Sequence, residues 1–247
     1  MKNALESTAA VILAAGRGTR MNATDRNKVT FTIGGQPMIK RTVENLRKAG
    51  VGQIIAVVGY QAESVRHVLG DTVDYVVQKE QLGTGDALRA AIPELREDID
   101  TVLSVGGDDS AFYPPDLYRE MVEKQRSHEV PLLFLTIHKD DPKGLGRIVR
   151  DEKGDVRKIV EEKVATEQEK RIQEVNTGFY CFDRRFLENQ IGLIERNPVS
   201  QEYYVTDMIE IALAVGTKIE TLFVRDASIW HGVNNQEDLA NARAKLR

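Results

Sequence analysis

Apolar runs of strand length alternate along the chain with segments whose apolar residues recur at helical spacing. Ala9–Ala15 (AAVILAA) has no polar break, the mark of a strand buried on both faces. Pro37–Ala49 predicts a helix opened by proline and closed by Gly50. Gln53–Gly59 (QIIAVVG) predicts a strand, Ala62–Leu69 a short helix and Val73–Gln78 a third strand. Thr84–Leu95 then reads as a helix and Thr101–Val105 as a strand. The β-α-β rhythm predicts a mainly parallel sheet covered on both faces, with right-handed crossovers.

The pattern changes after Pro114-Pro115, which opens a helix to about Glu123. Pro131–Ile137 predicts a strand, and Arg147–Arg150 and Val156–Glu161 flank the hairpin signal Asp151-Glu152-Lys153-Gly154. Thr166–Ile172 reads as a charged helix or lid, Thr177–Phe182 as a strand and Thr206–Ala214 as a helix. Lys218–Val224 completes the strands, and Gln236–Leu246 predicts a closing helix. With no Pro-, Gly- or Ser-rich linker and no internal repeat, one domain over residues 1–247 is expected.

Composition narrows the function classes. A chain of 247 residues, 41% hydrophobic and 29% charged, is that of a soluble globular protein with a substantial core. Its formal charge of -4 offers no electrostatic reason to expect nucleic acid. Cys181 is the single cysteine, which excludes an intramolecular disulfide and a thiolate zinc cluster. His67, His128, His138 and His231 lack the paired spacing of zinc ligands. There is no signal-peptide pattern and no apolar stretch of about 18 residues, so a cytoplasmic location without a membrane partner is expected.

Chemistry is concentrated where strands end. The first apolar run breaks into Gly16-Arg17-Gly18-Thr19-Arg20-Met21, where glycines let backbone N–H groups approach an anion and arginine can grip phosphate oxygens. The turn fits neither a Walker loop nor the dinucleotide fingerprint, and taken alone it also reads as a plain turn with solvated arginines. Lys28, Gln81-Leu82-Gly83-Thr84-Gly85, Gly106-Gly107-Asp108-Asp109 and Gly232-Val233-Asn234-Asn235 fall on the same expected rim. Each has a structural alternative: Thr84 or the Asn234-Asn235 pair as helix caps, Gly106–Asp109 as a tight turn, Lys28 as a surface lysine. Together they supply what a nucleoside triphosphate needs, with Arg20, Lys28 and the Gly16–Thr19 turn as cationic groups and donors. Asp108 and Asn234 offer one carboxylate and one amide oxygen for magnesium.

The chain resembles the sugar-phosphate nucleotidyltransferases, most closely the uridyltransferase domain of the bifunctional N-acetylglucosamine-1-phosphate uridyltransferases. Seven ordered motifs carry the likeness: LAAGRGTRM (Leu13–Met21), QKEQLGTGDA (Gln78–Ala87), GLGRIVR (Gly144–Arg150), IVEEK (Ile159–Lys163), IQEVNTGFY (Ile172–Tyr180), EYYVTD (Glu202–Asp207) and GVNN (Gly232–Asn235). The resemblance implies an α/β, Rossmann-like nucleotidyltransferase fold, a mixed, mainly parallel sheet with helices on both faces and a β-rich sugar-binding second half. Residues 1 to about 110 would form the nucleotide-binding half and about 111 to 247 the sugar-phosphate half. The implied reaction is Mg2+-dependent uridylyl transfer from UTP to N-acetylglucosamine 1-phosphate, releasing pyrophosphate.

By the same resemblance, Leu13, Ala14, Ala15, Gly16, Gln78, Gly83 and Thr84 would hold uridine, with Gly18 and Thr19 in the phosphate turn. Arg20 and Lys28 would be the catalytic cations, and Asp108 and Asn234 the magnesium ligands. Gly146, Glu161 and Asn176 would contact the sugar, with Thr206 nearby. The chain departs from the family pattern in several places: Asn27 replaces a proline, Gly106 a frequent tyrosine, Gly107-Asp108-Asp109-Ser110 stands where a Gly-Asp-x-Pro pattern is usual, Asp86 replaces a histidine and His231 an acidic residue. The bifunctional relatives also carry a hexapeptide-repeat acetyltransferase domain, of which this sequence shows no repeat, and acetyl transfer is not expected. Another nucleotide or sugar phosphate, glycosyl transfer and non-catalytic nucleotide-sugar binding are the alternatives.

Overall fold

The fold is that of a computed structural model, which describes residues 4–21, 23–162 and 164–245. Its first half runs β1 (Thr8–Ala14), α1 (Met38–Ala49), β2 (Gln53–Val58), α2 (Ala62–Leu69), β3 (Asp74–Val77), α3 (Thr84–Ala91), β4 (Thr101–Gly106) and α4 (Pro115–Ser127). The second half continues with β5 (Leu132–His138), β6 (Arg147–Arg150), β7 (Val156–Val160), β8 (Glu174–Asp183), α5 (Arg184–Gln190), α6 (Asp207–Ala214), β9 (Ile219–Val224) and α7 (Gln236–Lys245).

One nine-stranded sheet joins the two halves in the order β9-β5-β8-β4-β1-β2-β3, with the β6–β7 hairpin branching from β8. β1 lies parallel between β2 and β4, with Ala10 opposite both Ile54 and Leu103. The pleat sends Ala10, Ile12 and Ala14 into one apolar cluster and Ala9 and Val11 into the other, which is why the run carries no polar position. Helices α1, α2 and α4 cover the first cluster, and α3, α5 and α6 the second. β8 is antiparallel to both β4 and β5, whereas β9 is parallel to β5. The chain moves from β1 to β2 on one side and reaches β4 on the other. That reversal opens a crevice beyond the C-terminal ends of β1 and β4.

The expected elements recur with instructive differences. α3 stops at Ala91, and Pro93 shapes a 3-10 turn over Ile92–Glu94 where the helix was expected to continue. α4 runs on to Ser127. Thr166–Ile172 is no helix: only Glu169–Arg171 turns, because the segment has no apolar stripe to bury against the sheet. Unforeseen are α5, whose buried side chain is Leu187, and a two-residue ribbon pairing Thr32–Ile33 with Gln36–Pro37. β8 starts earlier than its apolar core, at Glu174, because its polar residues line a site. Lys163 of the IVEEK motif and Leu246 of the closing helix lie outside the described residues.

Candidate active site

A cleft of about 770 Å³ occupies the crevice predicted by the strand order. Leu13, Ala15, Gly16, Gly18, Thr19, Lys28, Gln78, Gly83, Thr84, Asp108, Glu161, Asn176, Thr206 and Asn234 all line it. Ala14, Arg20 and Gly146 do not. Ala14 is buried and its carbonyl accepts from Asn27, so it supports the turn from behind. Arg20 reaches the cleft only through Asn234, and Gly146 through its backbone.

The glycine turn is held by a residue at which the chain departs from the family pattern. Asn27, 1% exposed, donates through Nδ2 to the carbonyls of Ala14 (2.9 Å), Gly16 (3.2 Å) and Tyr60 (2.9 Å). Its Oδ1 accepts from the Val29 N–H, and its own N–H donates to Ser64 Oγ. The amide therefore ties β1, the turn and the α2 entry to the 3-10 turn that presents Lys28. Gly18 takes φ +56°, and a Cβ there would lie 3.1 Å from the Lys28 side chain. Glycine is what lets the lysine cross the turn so closely.

Two cations meet two oxygen acceptors at the cleft, where Lys28, Asp108 and Asn234 line the wall and Arg20 reaches it through Asn234. Lys28 Nζ lies 2.5 Å from Asp108 Oδ2, and Arg20 Nη2 donates to Asn234 Oδ1 at 3.0 Å. Asn234 and Asn235 divide the two roles open to them. Asn235 caps α7 by accepting from Asp238 N–H, whose carboxylate accepts in return from both asparagine N–H groups. That leaves the Asn234 amide for the cleft. A carboxylate and an amide oxygen that already attract cationic groups are hard donors suited to a divalent cation whose remaining ligands come from phosphate and water. The residues thus fit magnesium. Among the described residues no group of three or more His, Cys, Asp or Glu side chains could hold a metal.

Asp109, on the expected rim but without an assigned role, also lines the cleft. Enclosure and the neighbouring Asp108 carboxylate push its carboxyl up to about 8 against the pull of Lys28. A Cβ on Gly106 would sit 2.6 Å from Asp109 Oδ1, so the glycine leaves the space that the second aspartate fills. Ser110 donates to the Gly106 carbonyl and shares a 2.9 Å hydrogen bond with Thr42, securing the turn.

One wall of the cleft is built from two loops. Thr84 is not the helix cap; Gly83 occupies that position at φ +98°, and the Thr84 hydroxyl accepts from Val205 N–H at 3.1 Å. Tyr203 N–H donates to the Leu82 carbonyl at 2.7 Å, and Gly85 N–H to the Tyr203 carbonyl at 2.8 Å. Glu202, Tyr204 and Val205 thereby join Thr206 in the cleft wall. The EYYVTD motif marked this segment, but its pairing with residues 82–85 is a long-range contact that carries no local signal.

The opposite wall comes from β7 and β8. Burial raises the Glu161 carboxyl above its ordinary value, with Arg147 pulling the other way. A Cβ on Gly146 would meet Ile159 at 2.8 Å and Glu161 Oε1 at 3.2 Å, so Gly146 makes room for that side chain. Its carbonyl accepts from Asn176 N–H. The register of β8 against β5 shifts between Asn176 and Tyr180, and this irregularity lets both side chains reach the cleft, joined by a 2.7 Å bond from Asn176 Nδ2 to the Tyr180 hydroxyl. Tyr180 was read as part of a buried strand, and only the Gly178 break, at φ +82°, signals the irregularity. Fully buried Arg147 pairs with Glu162 and anchors the loop after Glu161. His231, replacing an acidic residue, packs edge-on against Phe112; burial and then Lys245 push its pKa down to about 4.

Residues 9–247 match the family model described as Nucleotidyl transferase. The chain is 41% identical over 241 residues to the bifunctional protein GlmU of Exiguobacterium sibiricum, covering 96% of this chain and 53% of the relative. It is 40% identical over 238 residues to that of a Geobacillus species, covering 96% and 51%. The chain spans about half the length of the curated relatives it matches. A solved structure described as a glucose-1-phosphate thymidylyltransferase of Bacillus anthracis superposes with a TM-score of 0.80 at 22% identity, covering 97% of this chain and 95% of that one. This similarity is one of fold, including the mixed sheet with helices on both faces.

Proposed function

Since the chain belongs to the nucleotidyl transferase family, we propose that it transfers a uridylyl group from UTP to N-acetylglucosamine 1-phosphate, forming UDP-N-acetylglucosamine and pyrophosphate. The observation that carries this reading is the convergence of Lys28–Asp108 and Arg20–Asn234 beside the Gly16–Thr19 turn. Cations for phosphate and oxygens for a metal stand in contact, as a triphosphate–metal complex requires. The seven motifs and the 41% identity to a bifunctional GlmU protein support the choice of uridine and N-acetylglucosamine.

In this account residues 1 to about 110 hold the nucleotide and the rest hold the sugar phosphate. Gln78, Gly83 and Thr84 bind the base, and the turn's N–H groups face the phosphates. A phosphate oxygen of the sugar 1-phosphate attacks the α-phosphorus of UTP; the new P–O bond forms as the bond to pyrophosphate breaks. The nucleophile is already an oxyanion, so no protein base is needed. Lys28 and Arg20 offset the charge gathering on the α-phosphoryl group and the departing pyrophosphate. Asp108 and Asn234 would hold Mg2+, which neutralises phosphate charge when bound. Glu161 accepts from sugar hydroxyls, and Asn176, already bonded to Tyr180, keeps one amide hydrogen for the ring.

The test is product analysis by anion-exchange chromatography after incubation with magnesium, one nucleotide (UTP, dTTP, CTP or GTP) and N-acetylglucosamine 1-phosphate or glucose 1-phosphate. UDP-N-acetylglucosamine should form with the highest kcat/KM. A higher value for another pair would replace the assigned substrates.

A further inference from the structure

Gln78 is 4% exposed just beyond the end of β3, and it lines the cleft. Its Nε2 donates to the Gly83 carbonyl at 3.0 Å and to Asp86 Oδ2 at 2.8 Å. A primary amide has two N–H hydrogens, and both are taken. The partners also fix which way the amide points. A carbonyl and a carboxylate only accept, so turning the group over would set Oε1 against two acceptors. Gly83 cannot readily move away, because a Cβ there would lie 2.5 Å from the Tyr203 carbonyl and its own carbonyl also accepts from Ala87 N–H at 3.2 Å. Among the described residues no donor engages Gln78 Oε1. What this side chain offers a ligand is a single acceptor.

We propose that Asp86 is a positioning residue that makes the base subsite an obligate hydrogen-bond acceptor, and so selects keto pyrimidines, uracil and thymine, over cytosine. Asp86 does not line the cleft; it stands in the first turn of α3 and acts through Gln78. Uracil and thymine present N3–H to such an acceptor. Cytosine presents an unprotonated N3, which would face Oε1 with no hydrogen between them, and the site's fixed polar group would go unpaired. The inference rests on the reading that the cleft takes its base at Gln78. It adds the residue that orients this amide, at a position where the family pattern has histidine.

Equilibrium titration of the full chain with UTP, CTP and 3-methyl-UTP tests it, because binding reads the base without requiring turnover. UTP should bind about 10- to 100-fold more tightly than CTP or 3-methyl-UTP, the range set by one unpaired buried group. Asp86→Ala removes one of the two acceptors that oppose an amide flip, and the UTP-to-CTP preference should fall about tenfold. Asp86→Asn, which keeps an acceptor oxygen, should retain it. Asp86→Ser, too short to reach Gln78 but well suited to a helix N-terminus, should behave like Asp86→Ala and serves if that variant does not fold. Equal binding of UTP and CTP by the parent overturns the inference. So does an Asp86→Ala or Asp86→Ser protein that weakens both nucleotides alike, since that is the result of a structural role. Selective UTP binding without nucleotide-sugar formation would support the inference and refute the proposed reaction. Failure to bind any nucleotide would refute both.

Discussion

The Lys28 ammonium stands 2.5 Å from the Asp108 carboxylate, with both side chains mostly withdrawn from water, at 20% and 15% exposure. A residue assigned to phosphate and one assigned to metal are therefore partners in the free protein. Lys28→Ala should lower kcat by about 10² to 10³, the loss typical of one preorganised charge-stabilising group. Asp108→Asn should lower kcat further and raise the magnesium concentration that gives half-maximal rate. Steady-state kinetics across a magnesium titration checks both. Near-normal turnover by Lys28→Ala would reduce the pair to a structural salt bridge.

The Asn27 amide shares its two hydrogens among the carbonyls of Ala14, Gly16 and Tyr60. Asn27→Ala leaves them without that donor, and a loss of about 2–4 kcal/mol is expected. Urea unfolding measures it. The turn that presents Lys28 should loosen as well, so KM for UTP should rise. An unchanged urea midpoint would contradict the tethering role.

Gly83 combines φ +98° with a Cβ position 2.5 Å from the Tyr203 carbonyl. Gly83→Ala should cost at least about 2 kcal/mol, from backbone strain together with displacement of the 202–205 segment. Because Thr206 follows that segment directly, KM for both substrates should rise. A variant with native stability and unchanged KM values would show that the two loops need not lie together.

The framework was legible in the sequence wherever local chemistry and tertiary packing agree. The uninterrupted run at β1, the Gly50 stop of α1 and the Asp151–Gly154 hairpin each encode their own geometry. The Thr166–Ile172 helix failed because charge and propensity do not hold a helix that has nothing to pack against. At the site, most of the motif residues at the strand ends line one cleft, whereas Ala14, Arg20 and Gly146 do not. What stayed hidden depends on three-dimensional contacts: the filling of the Gly106 space by Asp109, the reach of Tyr180 across the β8 irregularity, and the bonding of buried Asn27 to the carbonyls of Ala14, Gly16 and Tyr60. Even Asn234 and Asn235, adjacent and identical, take different roles because the Arg20 guanidinium engages one amide oxygen and the Asp238 N–H the other.

Glu161, proposed to contact the sugar, would link that wall to pH. Burial raises its carboxyl above the ordinary 4.5, with Arg147 opposing. In the proposed role the ionised form accepts from sugar hydroxyls, so kcat/KM for the sugar phosphate should fall as pH drops through that raised value. Stability runs the other way: a carboxyl with a raised folded pKa destabilises the fold when charged, and that cost is relieved as pH falls through the folded value. Glu161→Gln should flatten both trends and lower kcat/KM by roughly ten- to a hundred-fold while leaving UTP binding unchanged. An acid limb that persists in the variant would assign it elsewhere.

Pyrophosphate release on mixing UTP, magnesium and N-acetylglucosamine 1-phosphate tests the central claim most directly. One pyrophosphate should appear for each UDP-N-acetylglucosamine formed, and none when the sugar phosphate is omitted or EDTA is added. Absence of pyrophosphate with all three components present, or its continued release in EDTA, would contradict metal-dependent uridylyl transfer at this cleft.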